Sequence, residues 1–448
     1  MTCIDVAVAG GGPAGAFAAH ELARAGKRVL LIDPETCRPR LEGLGERVVR
    51  LLASKGLEEA LEAASAPMPR KVSWAGLNST ANGERLVRRH DFDAALRRAA
   101  VRAGVLHTVA RVSRIETCDP ETGVVLKLSN SERVAARLMI DARGRQSPSS
   151  AGLKGPRTLS LSGLLAEPGD STGTHVIATP QGWLWSAADP HFGHWIQISI
   201  DADDLHGSGS DALSKRMRAF LRQPQLGSRF TDAGFKGRLL ARHAGLVLAA
   251  PELKLPVLPV GDAAVAIDPL SGHGLFWALS SALAAVPAVL TLLETPARGR
   301  KLAARFYRDR VVETFWRQAR TGRDFYHLEQ NLAAYPFWSR RTAWPDGEPS
   351  HASADKVRLE RRVVVENNRL KERDVLVTPQ DPDGVAFVAG IPVTELLGLV
   401  RADGPSRSGS PDLSPAQATA LRWLDSRNLR EGSPGPFPKP PANMRETA

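Results

Sequence analysis

The sequence predicts an α/β protein, and three patterns along its 448 residues carry that prediction. The first is an apolar strand, Ile4 to Ala9, followed by a glycine-rich turn and an apolar helix. This is the strand, turn and helix order of a Rossmann-like dinucleotide-binding domain. The second is a period-two alternation between residues 157 and 200, which is typical of an antiparallel sheet. The third is a change in composition after residue 298, where arginine-rich helical segments predict a small, mainly helical C-terminal module.

These patterns divide the chain into four predicted segments. Residues 1–155 form the first part of the dinucleotide-binding domain, with a substrate-side segment near 63–90, and residues 236–297 form its second part. The antiparallel substrate sheet occupies residues 156–235. Residues 298–448 form the C-terminal region, whose last helix begins at a predicted capping box at Ser414. The C-terminal region ends in a proline-rich tail.

Composition and charge exclude several classes of protein. Cys3, Cys37 and Cys118 form no CxxC pair and cannot build a disulfide framework, so we expect a reducing cytoplasm. The apolar stretch from Leu275 to Leu293 is interrupted by polar residues and a proline, which predicts a core helix and no membrane partner. The net charge of +11 predicts a surface that attracts anions, either an acidic partner or an anionic dinucleotide, or simply a solvated face. No recognition motif for nucleic acid stands out, so we do not expect that partner.

The glycine-rich turn has the spacing of a dinucleotide fingerprint, Gly10-Gly11-Gly12-Pro13-Ala14-Gly15. The first glycine permits a tight turn, the second lets the backbone approach a pyrophosphate, and the third allows close helix packing. The phosphates would lie at the positive N-terminus of the following helix. Asp33 ends the next strand, 18 residues beyond Gly15, and can accept hydrogen bonds from ribose hydroxyls. This motif alone does not distinguish FAD from NAD.

A second motif distinguishes the two cofactors. Val260-Gly261-Asp262-Ala263-Ala264, followed by Asp268-Pro269 and Gly272-His273-Gly274, resembles the third fingerprint of FAD-dependent hydroxylases and halogenases. The resemblance implies that Asp262 binds the ribityl chain of FAD, and that Pro269, Gly272, His273 and Gly274 lie at the flavin. A helix that starts after the glycines would stabilise negative charge on the reduced flavin with its N-terminus.

Three shorter motifs resemble motifs of the same superfamily. Gly45-Glu46 resembles the glycine–glutamate pair of flavin-dependent halogenases and implies that Glu46 lies in the cofactor site. Arg89, Phe92 and Asp93 resemble an R-x-x-F-D helix start. Asp141-Ala142-Arg143-Gly144 resembles a strand end near the cofactor. Together the motifs cover about the first 300 residues.

The tryptophan pair Trp183 and Trp185 resembles the start of the halogenase motif W-x-W-x-I-P, without its isoleucine and proline. Because the two residues alternate along a strand, we expect both on one face, either as core side chains or as the wall of a substrate pocket. Halogenases also use a lysine, and Lys71, three residues before Trp74, does not have the family's spacing. This departure favours direct transfer of oxygen over halogenation.

The predicted reaction is hydroxylation of an aromatic ring through a C4a-hydroperoxyflavin, with O2 as co-substrate. The electrons would come from NAD(P)H or an external reductase. His273 is the candidate catalytic residue, because its imidazole could donate a hydrogen bond or relay a proton, although it could equally bond only backbone. Within the superfamily the chain resembles the flavoprotein monooxygenases that hydroxylate a peptidyl tryptophan in tryptophylquinone biogenesis. That resemblance implies a protein or peptide substrate, and the basic surface suggests an acidic one.

Other functions stay open at this point. A small-molecule aromatic hydroxylase or a tryptophan-type halogenase would use the same cofactor. A reductase of the geranylgeranyl type shares the FAD motifs but requires a long apolar tunnel. A non-catalytic, nucleic-acid-binding protein would explain the basic charge but not a complete flavin site.

Overall fold

The computed structural model describes residues 4–36, 39–148, 152–167, 172–205, 207, 209–230, 232–351, 353–403 and 414–429. They belong to two compact units, Met1–Ser350 and His351–Ala448. Cys3, Cys37 and the proline-rich tail lie outside the described residues.

The α-helices of the described part of the chain are α1 (Pro13–Arg24), α2 (Glu46–Ser54), α3 (Glu58–Glu62), α4 (Arg89–Arg102), α5 (Ser210–Leu221), α6 (Gly274–Glu294), α7 (Pro296–Tyr307), α8 (Glu313–His327), α9 (Pro336–Thr342), α10 (Val393–Asp403) and α11 (Pro415–Asp425). The strands are β1 (Ile4–Ala9), β2 (Val29–Ile32), β3 (Leu41–Leu44), β4 (Met68–Trp74), β5 (Leu77–Arg88), β6 (Leu106–Thr108), β7 (Val112–Asp119), β8 (Gly123–Leu128), β9 (Arg133–Asp141), β10 (Leu153–Lys154), β11 (Thr158–Leu165), β12 (Gly173–Thr179), β13 (Gly182–Asp189), β14 (Gly193–Asp201), β15 (Phe235–His243), β16 (Val247–Leu248), β17 (Val257–Pro259), β18 (Val265–Ala266), β19 (Arg358–Glu366), β20 (Arg369–Val377), β21 (Phe387–Val388) and β22 (Ile391–Pro392).

The first sheet is the predicted Rossmann-like core. Its strand order is β6-β2-β1-β9-β8-β7, with β17 on the free side of β9. The pairs of β1 with β2 and β9, of β2 with β6 and of β9 with β17 are parallel, whereas β7, β8 and β9 form an antiparallel meander. Apolar residues of the meander pack against those of β1 and β9 in one core cluster. The α/β fold class is confirmed.

The second sheet, for which we keep the predicted name substrate sheet, is larger than the predicted segment 156–235. Its order is β15-β11-β14-β13-β12-β4-β5-β3, so three strands from residues 41–88 extend it. All pairs except the parallel pair β12–β4 are antiparallel. The side chains alternate between two faces. The outer face carries residues such as Leu161, Leu184 and Ile198, which pack against α5.

The opposite face of this sheet is here called the site face. The register places Trp183 and Trp185 of β13 on it, together with Ser199 and Gln197 of β14. It is covered by α8, α9 and the loop that contains Leu270. Each face of the sheet is therefore covered over part of its area.

The helices between Pro296 and Thr342 belong to the larger unit, whereas the predicted C-terminal region began at residue 298. The physical reason is apolar packing, because Tyr307, Val311 and Phe315 share a core cluster with Leu246 and Trp277. A π-helical turn, Arg308–Val312, joins α7 to α8.

Helix α6 is the one helix in the described residues that is long and apolar enough to cross a membrane, and most of it is buried inside the protein. It packs along α1 and α7. The burial matches a core helix.

The C-terminal unit combines helices with two β-hairpins that were not predicted, β19–β20 and β21–β22. Helices α10 and α11 pack against them around Leu376 and Leu396. The capping box at Ser414 is confirmed, because its hydroxyl accepts from the amide of Gln417 while the Gln417 side chain accepts from the amide of Ser414.

Candidate active site

The glycine turn between β1 and α1 is closely packed against the strand end at Ala142. Gly10 has φ of 104°, and a Cβ atom there would lie 2.5 Å from the Ala142 carbonyl oxygen. A Cβ on Gly15 would lie 1.8 Å from the Gly10 oxygen. Gly12, by contrast, has a single atom of the described residues beyond its chain neighbours within 4 Å of its virtual Cβ, Arg89 Nη2 at 3.8 Å. Two glycines therefore serve packing, and the third leaves space at the N-terminus of α1.

Asp33 lies at the end of β2, beside the glycine turn. Its carboxylate accepts hydrogen bonds from the amides of Gly11 (2.6 Å) and Glu35 (2.8 Å). Arg97 of α4 approaches the same carboxylate at 3.7 Å and donates to the Gly11 carbonyl at 3.3 Å. The fold thus brings together Asp33 and the glycine turn, as the spacing predicted.

Arg89 begins α4 and lies next to Gly12 and Pro13. It forms a two-bond ion pair with Asp93, with both distances 2.9 Å, and contacts Glu42 at 3.3 Å. The R-x-x-F-D segment is therefore a buried charge cluster that fixes one guanidinium at the start of α1.

Asp262 lies in a 3-10 turn, Gly261–Ala263, on the other side of the glycine turn. A Cβ on Gly261 would lie 3.1 Å from Cβ of Ala14, so the two motifs are in close contact. The partly exposed Asp262 carboxylate is 3.4 Å from Arg145 Nε. Arg145 also donates to the Gly245 carbonyl. Asp262 is thereby held beside the dinucleotide fingerprint.

The turn that leads into α6 is capped by Asp268. Its carboxylate accepts from the amide of Leu270 at 2.9 Å, which orders Pro269–Ser271, and Gly272 then adopts φ of 62°. Gly272, His273 and Gly274 are exposed at the N-terminus of α6. Desolvation, together with Arg47 and Arg70, lowers the pKa of His273, which favours the neutral imidazole at neutral pH.

Glu46 opens α2 and pairs with Arg50 at 3.1 Å on an exposed helix face. This contact satisfies its carboxylate within the helix. Glu46 thus differs from the other predicted site residues, whose contacts lie at the glycine turn or at the turn before α6.

An aromatic cluster lies between the site face and the turn before α6. Trp183 donates to the Tyr326 hydroxyl at 3.4 Å, and Tyr326 donates to the Asp268 carboxylate at 3.3 Å. Trp338 is fully buried with its ring 5.8 Å from that of Tyr326, and Trp74 lies 5.0 Å from Trp338. Trp185 is half-buried on the same face. Two hydrogen bonds therefore join the tryptophan wall to the turn at the predicted flavin edge.

The register of β4 against β12 separates two neighbouring cations. Arg70 is opposite Thr174 and lies on the site face with Trp74, whereas Lys71 is opposite His175 on the outer face. Arg70 Nη1 is 3.4 Å from the position of a virtual Cβ on Gly272. Lys71 is exposed. The cation beside the turn is thus an arginine, and the lysine points away from it.

Sequence reasoning did not select Arg145, Arg70 or Tyr326. Arg145 follows the D-A-x-G strand end by one residue, so that motif could have indicated it. Arg70 could have been assigned to the site face from strand alternation. Tyr326 is 58 residues from Asp268, and nothing local in the sequence relates the two.

Comparison with known proteins places this geometry in a family. Residues 5–165 match the family model described as lycopene cyclase protein. A tryptophan 2-halogenase of Chondromyces crocatus is 26% identical over 379 residues, which are 75% of this chain and 70% of the relative. The structure of the flavin-dependent halogenase CmlS has a TM-score of 0.73 and 17% identity, over 96% of this chain and 93% of that one. This last likeness concerns the fold.

The structure of the peptidyl tryptophan dihydroxylase QhpG, essential for tryptophylquinone cofactor biogenesis, has a TM-score of 0.80 and 35% identity. The match covers 96% of this chain and 100% of that one. Fold and site together define a flavin-dependent oxidoreductase. The chain belongs to the superfamily of FAD-dependent monooxygenases and halogenases and, within it, to the family of the peptidyl tryptophan dihydroxylase. The protein is therefore an enzyme, and the non-catalytic alternative is set aside.

Proposed function

We propose that this enzyme hydroxylates a tryptophan side chain in a protein or peptide substrate, as a step in tryptophylquinone cofactor biogenesis. The observation that carries the proposal is the link from Trp183 through Tyr326 to Asp268, which joins an aromatic wall to the predicted flavin edge. The 35% identity to a peptidyl tryptophan dihydroxylase over its whole length supports the substrate class.

The residues present fit FAD at two separated points. The proposed pyrophosphate site is Gly10, Gly12, Pro13, Ala14 and Gly15, where the virtual Cβ of Gly12 meets only one guanidinium. Asp33 would accept from the adenosine ribose. It has backbone partners already, but a carboxylate has lone pairs for more than two donors.

The ribityl chain and the ring would occupy the second point. Asp262 would bind the ribityl hydroxyls, because its carboxylate is partly exposed. The ring edge would meet Pro269, Gly272, His273 and Gly274. Among the described residues, apart from its chain neighbours and its own helix backbone, nothing lies within 4 Å of the virtual Cβ of Gly274, so a planar ring can approach the backbone there. Glu46 remains a proposed cofactor residue on the strength of its motif.

When bound and reduced, FAD supplies the activation of O2 and the transfer of one oxygen atom to the substrate ring. The protein would position the substrate indole against Trp185, which is half-buried on the site face. Trp183 is buried in the core cluster around Tyr326, which would exclude water, so it is not itself a substrate contact. His273 would accept or return a proton at its imidazole, and the lowered pKa keeps it neutral for that purpose.

The proposal also names an electron donor and the charge of the substrate protein. The reductant is NAD(P)H or a separate reductase. The substrate protein is acidic, as the net charge of +11 suggests by charge complementarity. The location in the cytoplasm remains a prediction.

One experiment tests this function. The FAD-loaded protein is reduced without oxygen and then mixed with oxygen and either tryptophan-containing peptides or free aromatic compounds. A product heavier by one or two oxygen atoms, formed from the peptide and independent of chloride, is expected. Oxidation of the free compound alone would indicate a small-molecule hydroxylase. Incorporation of chloride or bromide would indicate a halogenase, the second candidate, which the likeness to halogenases and the tryptophan pair favour.

A further inference from the structure

Arg70 has an unusual position for a charged side chain. It belongs to the substrate sheet, yet its Nη1 atom lies 3.4 Å from the virtual Cβ of Gly272, at the turn before α6. Its Nε atom is buried and has no hydrogen-bond partner in the described residues. An unsatisfied guanidinium N–H is costly unless an acceptor arrives when the site is filled.

The carboxylate of Glu84, near Arg70, does not fully balance the positive charge of the guanidinium. Glu84 lies 3.9 Å away, beyond hydrogen-bond distance, and its Oε1 atom accepts a short hydrogen bond from Thr174. Arg47 is a second guanidinium on this side of the turn, because it lies 5.9 Å from the ring centroid of Phe276, which is 6.4 Å from that of His273. The turn therefore carries an excess of positive charge at the N-terminus of a long helix, which adds to it.

We propose that Arg70 is the residue that tunes the flavin electrostatically, by stabilising the negative charge that the ring carries after reduction. This inference rests on the proposed function, because it requires FAD with its ring at the Gly272 turn. The charge comes from the substrate sheet and not from the dinucleotide-binding domain.

The neighbouring residue provides a matched control. Lys71 carries the same charge one position along the same strand, but it lies on the outer face and is exposed. Water and salt screen an exposed charge far more than a buried one. If Arg70 acts as proposed, removal of the two charges has unequal effects on the flavin.

The test measures the two-electron midpoint potential of bound FAD in the full-length protein at constant ionic strength. Arg70→Gln should lower the equilibrium constant for reduction about tenfold, which corresponds to about 30 mV. Arg70→Lys keeps the charge, and its equilibrium constant for reduction should stay within about threefold of that of the parent. Lys71→Gln should leave the potential unchanged. Glu84→Gln removes an opposing charge and should raise the potential, a shift of opposite sign.

The outcomes separate the two proposals. The role of Arg70 is overturned if Arg70→Gln retains FAD with the potential of the parent. It is also overturned if Lys71→Gln shifts the potential as much as Arg70→Gln does. Either result leaves the proposed function standing. If Arg70→Gln cannot retain FAD, an unchanged potential in Glu84→Gln overturns the inference instead. A parent protein that cannot bind FAD overturns the proposed function as well.

Discussion

The two faces of the substrate sheet are built from alternate residues of the same strands, yet they differ in chemistry. On β14 the outer face carries Ile196, Ile198 and Ile200, all fully buried against α5 and its neighbours. The site face carries Gln197 and Ser199 from the intervening positions. The outer face gains stability from apolar burial, whereas the site face keeps polar and aromatic groups that a close-packed core does not require.

The site face keeps these groups at an energetic cost. The hydroxyls of Ser160 and Ser199 are buried without a hydrogen-bond partner in the described residues. Arg242, the cross-strand neighbour of Ser160, is desolvated enough to lower its pKa to about 10. Buried polar groups that are not fully satisfied are typical of a surface that receives a ligand.

The largest expected effect concerns the ion pair that closes the site face. Arg341 of α9 donates to Asp201 at 2.7 Å, and both side chains are 3% exposed. Among the described side chains, Arg341→Met leaves the buried Asp201 carboxylate with Arg340 as its one partner, at 3.1 Å. We expect the free energy of unfolding to fall by about 3 kcal/mol, measured by urea denaturation.

The exposed pair Arg157–Asp203 is the control for this prediction. Its nitrogen–oxygen distance is also 2.7 Å, but its side chains are 67% and 55% exposed. Arg157→Met should cost less than about 1 kcal/mol. Equal losses in the two variants would show that burial is not what gives the Arg341 pair its strength.

The difference between the faces also explains which features the sequence could predict. The glycine turn, the position of Asp33 and the capping box at Ser414 depend on residues within about two dozen positions of one another, and spacing describes them. The pairs Arg341–Asp201 and Tyr326–Asp268 join residues 140 and 58 positions apart. Local periodicity carries no information on such pairs. The packing of α8, α9 and the Leu270 loop over the site face was therefore not predicted.

The C-terminal hairpin was missed for a different reason. Asn367 and Asn368 both have positive φ, 51° and 58°, and connect Glu366 to its partner Arg369. Asparagine tolerates this conformation, which the two central residues of a type I′ turn require. The Asn-Asn pair between two alternating segments was therefore an available signal for the hairpin.

A second prediction compares one residue from each face. Trp185→Ala should lower kcat/KM for the peptide substrate at least tenfold, about 1.4 kcal/mol in the transition state, because the half-buried ring would contact the substrate indole. Ile198→Val should cost about 0.5–1.5 kcal/mol in stability through the small cavity it leaves. Below its melting temperature, that variant should keep kcat/KM within about twofold. If the Ile198 variant loses kcat/KM and Trp185→Ala keeps it, the outer face holds the substrate.

A third prediction concerns pH. Desolvation raises the pKa of the Asp268 carboxyl, so the folded protein holds this proton more tightly than the unfolded chain. The contribution to stability is complete at low pH and is lost as pH rises from the unfolded pKa, about 4, through the raised folded value. Asp268→Asn keeps an oxygen that can accept from Leu270 and Tyr326 but removes the ionisation.

The free energy of unfolding should therefore shift in favour of Asp268→Asn as pH rises from about 4 to about 7. Urea denaturation across this range measures the difference between the variant and the parent. A constant difference would mean that the Asp268 carboxyl has the same pKa in the folded and unfolded chains.

The smallest expected effect is that of Lys71→Gln on turnover. The side chain is exposed on the outer face, so its loss should change stability by less than about 0.5 kcal/mol and kcat by less than about twofold. If Lys71 served as the lysine that halogenases use, despite its different spacing from Trp74, its loss would abolish halogenation. A tenfold loss of turnover in Lys71→Gln, accompanied by chloride-dependent products in the parent, would assign the chemistry to the lysine. A near-neutral result, in contrast, would exclude Lys71 from the chemistry and leave Arg70, on the site face, as the other cation of β4.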